Sequence, residues 1–85
     1  MTNQYEFWVS AICPVDGTTD IYSATLRTNG IVPVETLLAA SAKFANAFIY
    51  QETLTAELQK MIGEGELTTV GRHSYVTVTC VAGEI

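Results

Sequence analysis

The side chains of this chain that could do chemistry are one histidine, two cysteines and nine carboxylates. Their spacing decides what each can do. A general base must reach a nucleophile or a polarised water. His73 has Ser74 as its neighbour, but adjacent residues of an extended segment point to opposite faces, so the two make no dyad. Together with Arg72 they read as exposed loop residues beside Gly71. Cys13 and Cys80 fall inside alternating apolar segments. No cation or helix N-terminus is placed by the sequence to activate either thiol, so both read as reduced core residues. One histidine and two distant cysteines give no zinc spacing. The acidic loops lack the D-x-D-x-D-G pattern of a calcium site, and no phosphate-binding, dinucleotide-binding or metalloprotease motif is present. The expectation is a protein that is not an enzyme and carries no cofactor and no metal.

The elements that must position these groups follow from periodicity. Tyr5, Phe7, Val9, Ala11 and Cys13 alternate with Glu6, Trp8, Ser10 and Ile12, the period of a strand. Tyr22, Ala24 and Leu26 alternate with Ile21, Ser23, Thr25 and Arg27 in a second strand. Asp16-Gly17 between them is a hairpin signal, because tight primed turns need positive φ. A two-residue loop there pairs Ala11 with Tyr22 and sets Ile12 beside Ile21; even-length loops keep the apolar faces matched. Val76, Val78, Cys80 and Ala82 alternate with Tyr75, Thr77, Thr79 and Val81 in a last strand. A short strand at Leu67–Val70 is only weakly signalled.

Between the hairpin and the last strand, residues 33–62 hold no glycine, and no proline after Pro33. Pro33 suits the first helical position, Glu35 the first turn, and Lys60 and Gly63 the C-terminal end. The apolar stripe thins at Gln51–Thr53, where Thr53 could cap a second helix. A tight helix–helix turn usually recruits a breaker, and none is present. The expectation is therefore one long helix that can kink near Gln51–Thr53. The fold class is α+β: a β-β-α-β chain with a three-stranded antiparallel sheet in the order 2-1-3 and the helix on one face. Residues 1–85 form a single domain.

Two surfaces then stand out. The sheet face away from the helix displays Trp8, Ile12, Ile21, Tyr75 and Val81, and uncovered apolar patches mark protein contacts. With a single helix, Asp16, Asp20, Glu57, Glu64 and Glu66 gather toward one end; with two helices that cluster disperses. The net charge of −5 opposes binding to nucleic acid or anionic membrane. No apolar run reaches the roughly 18–20 residues of a membrane span, and the N-terminus has no signal-peptide pattern, so the cytoplasm is the expected location. These features predict a small acidic interaction protein that binds a protein partner, including an inhibitor of the phage or mobile-element anti-defence type. The alternative is a homo-oligomeric structural or small-ligand-binding module, in which two sheets stack on the same patch.

Overall fold

The computed structural model describes Met1–Ile85. Six elements follow in the order β1 (Asn3–Ile12), β2 (Thr19–Thr28), α1 (Val34–Ala42), α2 (Gln51–Ile62), β3 (Gly65–His73) and β4 (Val76–Glu84). The four strands form one antiparallel sheet in the order β1-β2-β3-β4. This overturns the expected three-stranded 2-1-3 sheet with a single helix. There are two helices, and β1 is an edge strand rather than the central one.

The physical reason lies between the helices. Residues 43–46 turn, and residues 47–49 leave helical geometry to run beside the end of β1. Ile12 N–H donates to the Ala47 carbonyl at 2.8 Å, and Ile49 N–H donates to the Ile12 carbonyl at 3.2 Å. The edge of β1 thus supplies backbone partners that stand in for the helix ladder, and no glycine or proline is needed to break it. The helix therefore ends well before the expected kink at Gln51–Thr53. Tyr50, in extended conformation, precedes the first residue of α2, so Thr53 is not its cap. Gly63 ends α2 as expected, at φ 86° with its N–H on the Gln59 carbonyl at 2.9 Å.

Two helices of opposite direction return the chain to the end from which it left β2. The next strand, β3, then pairs antiparallel with β2 over Ser23–Arg27. It contains the weakly signalled Leu67–Val70 and extends to His73. The β3–β4 hairpin closes through Ser74-Tyr75, with His73 opposite Val76. In the first hairpin the apolar faces match as expected, but the register lies further along. Val9 faces Tyr22, Ser10 faces Ile21, and Ile12 faces Thr19.

One sheet face carries Val9, Ala11, Tyr22, Ala24, Leu26 and Leu67 into the core, where Leu37 of α1 and Leu54 and Leu58 of α2 meet them. Contacts of α1 fall on β1, and those of α2 on β3 and β4. No helix is long and apolar enough to cross a membrane.

Candidate functional site

At the end of the sheet where β1 turns into β2 lies a cleft of about 220 Å³. Three parts of the chain build it. The first hairpin supplies Cys13, Pro14, Val15, Asp20 and Tyr22; the start of α2 supplies Ile49, Tyr50, Gln51 and Glu52; β3 and β4 supply His73 and Val78. An adjoining groove of about 410 Å³ shares Cys13, Val15, Asp20 and His73, and adds Asp16, Thr18, Arg72 and Ser74.

The hairpin loop fixes the first wall. Cys13 N–H donates to the Thr18 carbonyl at 2.8 Å, and Gly17 N–H to the Cys13 carbonyl at 2.9 Å. Gly17 sits at φ 75°, where a side chain is strained. Asp16 Oδ1 accepts from Thr18 N–H at 3.0 Å and from the Thr18 hydroxyl at 2.7 Å. The Thr18 backbone N–H first, then the Thr18 hydroxyl and the Cys13 thiol, hold the Asp16 carboxyl below the usual carboxylate range. Asp16 is therefore a fixed anion that shapes the loop and a poor proton acceptor.

Asp20 takes a different environment. Tyr22 hydroxyl donates to its Oδ2 at 3.1 Å. Burial, and next the charge of Asp20, push the Tyr22 phenol well above its ordinary 10.0. The phenol stays protonated and orients one carboxylate oxygen of Asp20.

The second wall is wired through Gln51, which is 1% exposed. Its Nε2 donates to the Val78 carbonyl at 3.0 Å, to Thr69 Oγ1 at 3.2 Å and to the Thr69 carbonyl at 3.3 Å. Its Oε1 faces His73 Nε2 at 3.2 Å. Thr55 hydroxyl donates to the Gln51 carbonyl at 2.7 Å. The Thr55–Thr69 contact at 2.6 Å then has Thr69 as its donor, because the Thr55 proton is already committed. No buried side-chain nitrogen or oxygen lacks a partner.

His73 was expected as an exposed loop residue. It is half-buried at the end of β3, with its ring 6.1 Å from that of Tyr22. Cys13, expected as core, is half-exposed on the cleft wall. Cys80, also expected as core, is likewise half-exposed and lies two strands away from the hairpin, opposite Thr69. Burial first, then the charge of Glu52, push its thiol up, so it is held as the unreactive protonated form. Both cysteines are free.

The five acids named from the sequence do not form one cluster. Asp16 and Asp20 are at the cleft end. Glu66 pairs across from Arg27 at the far end of β2, about 23 Å along the strand from Asp20. Glu64 accepts from Thr28 hydroxyl at 2.6 Å at that same far end, and Glu57 is exposed on α2. The outer-face residues are largely open: Trp8 is 71% exposed, Ile21 64%, Tyr75 93% and Val81 58%. Ile12 is half-buried, and Tyr75 sits in the β3–β4 turn rather than on the sheet. Gln51 and Glu52 were site residues that sequence reading passed over. They had no motif, and the helix break at residues 47–50 is what brings them to the same cleft as Cys13's hairpin.

No protein-family model matches the chain, and no curated protein matches it. Among solved structures, the crystal structure of the archaeosine synthase QueF-Like in the apo form is similar, with a TM-score of 0.85. The match covers 98% of this chain and 92% of that one at 16% identity. At that identity the likeness is one of fold.

Proposed function

We propose that the cleft is the active site of a small synthase-type enzyme, with Cys13 as nucleophile acting on an electrophilic carbon. The observation that carries this reading is the meeting of the Cys13 thiol with two carboxylates, Asp20 of its own hairpin and Glu52 of α2, on the wall of one cleft. A thiol beside a carboxylate is a nucleophile with a proton acceptor. The similar fold of a protein named as a synthase adds support by analogy.

The roles follow from the surroundings. Asp20, with one oxygen fixed by Tyr22, is assigned as the acceptor of the Cys13 Sγ proton, which the thiol shares with Asp16 in the ligand-free cleft. The thiolate adds to an electrophilic carbon of a carbon–nitrogen multiple bond: the S–C bond forms and one C–N π bond breaks. The nitrogen then receives the proton back from Asp20, so the addition balances with no oxidant and no leaving group. Glu52, an acceptor only, binds an N–H pair on the ligand edge. A free-thiol nucleophile suits the reducing cytoplasm.

The test is intact-mass spectrometry after incubation with 2-cyanopyrimidine, a thiol-reactive nitrile. Wild type and Cys80→Ala are expected to gain the mass of one probe, and Cys13→Ala none. Absence of the adduct in wild type, or its persistence in Cys13→Ala, sinks the reading.

A second reading rests on a different observation, the uncovered outer face with Trp8 and Ile21. It makes that face a contact surface for a protein partner or a second copy, in keeping with an interaction protein or inhibitor.

A further inference from the structure

Gln51 determines the state of His73. Its Nε2 faces the carbonyls of Thr69 and Val78, and a flipped carboxamide would set oxygen against oxygen there. The carboxamide orientation is thus forced, and Oε1 must point at His73 Nε2. An amide oxygen only accepts, so Nε2 carries the proton. The neutral ring therefore holds its lone pair on Nδ1.

That nitrogen has no partner within the protein, yet no buried side-chain nitrogen is left unpaired. Nδ1 is consequently open to solvent, and the space against His73 is the cleft and its adjoining groove. The lock is enforced from below. A side chain at Gly71 would collide with the Tyr22 ring and come within 3.0 Å of Gln51 Oε1, so only glycine lets both residues hold His73.

We infer that His73 is a specificity-determining residue, whose Nδ1 is a fixed hydrogen-bond acceptor for a ligand N–H, and that Gln51 is its positioning residue. This rests on the proposed small-molecule site and extends it. With Asp20 and Glu52 it makes three acceptors in the cleft, while the donors of Gln51 are consumed by the protein. These acceptors select a ligand that presents N–H groups to them, and the Tyr50 hydroxyl and Arg72 guanidinium on the same walls are left for its acceptors.

The chain has a single histidine, so its ring nitrogens can be followed by NMR of 15N-labelled protein without ambiguity. Without ligand, a hydrogen-bonded Nε2–H proton is expected to be directly visible, and to be lost in Gln51→Met. On adding isocytosine, the Nδ1 resonance is expected to move saturably while Nε2–H persists. His73→Phe is expected to weaken isocytosine about tenfold, the scale of one lost hydrogen bond. His73→Gln, which keeps an acceptor, is expected to restore most of it. The 2-dimethylamino analogue, which lacks the amino N–H, is expected to bind both proteins equally weakly.

No protected Nε2–H in wild type overturns the lock, whatever binds. Saturable shifts of cleft amides with Nδ1 unmoved overturn the role of His73 and leave the small-molecule site standing. No binding of isocytosine at all overturns the assigned ligand chemistry, and the role of His73 with it.

Discussion

Cys13 and Cys80 are both free, half-exposed thiols, and their surroundings differ. Cys80 is held protonated by burial and by Glu52, whereas Cys13 lines an open cleft. Iodoacetamide is expected to label Cys13 in the folded chain faster than Cys80, as peptide mapping would show. Tyr22 offers a test by pH. Its phenol ionises less readily in the folded chain than its ordinary 10.0. The stability it contributes is therefore complete below about pH 10 and declines as pH rises beyond it. Thermal melts of wild type should fall steeply above that pH, and those of Tyr22→Phe less so. At this scale the sequence was only partly legible. The apolar alternation that identified β1 also assigned Cys13 to the core, because periodicity carries no information on where a strand runs past the helix that covers it. His73 looked like a loop residue since its partner, Gln51, lies 22 positions away.

Element by element, the hairpin and the two outer strand patterns could be read because their period matches the pleat. The break after α1 could not. It is caused by hydrogen bonds from Ile12 to residues 47–49, a tertiary effect with no local signature. The β3–β4 turn was equally silent, as Ser74-Tyr75 holds neither asparagine nor glycine. Ser74 nevertheless adopts φ 58°, a conformation that is costly for a residue with a Cβ. Ser74→Gly is expected to raise stability by up to about 1 kcal/mol in denaturant melts. Leu58 is 0% exposed and ties α2 to the sheet, so Leu58→Ala is expected to cost about 2–5 kcal/mol. Gly71→Ala should both destabilise the chain and abolish the ring N–H signal of His73.

Across the whole molecule, the helices cover one sheet face, and β1 and β4 are the outer strands, with the end of β1 paired to residues 47–49. The uncovered face and its exposed Trp8 were legible from alternation alone, because a single helical layer can shield only one side. Their use is a matter of solution behaviour. If the face is a contact between copies, light scattering at high concentration should give a multiple of 9.2 kDa, and Trp8→Asp should return it to the monomer. A strict monomer in wild type removes the contact between copies.

The pairing of Ile12 with residues 47–49 also makes the cleft a mechanical unit. Its hairpin wall and its helical wall are sewn together by two peptide hydrogen bonds, so neither wall can swing without tearing a seam. The amide protons of Ile12 and Ile49 are therefore a built-in gauge of breathing. Their hydrogen-exchange rates report each opening directly, and a ligand that clamps the walls should slow both together while leaving the far end of the sheet unchanged.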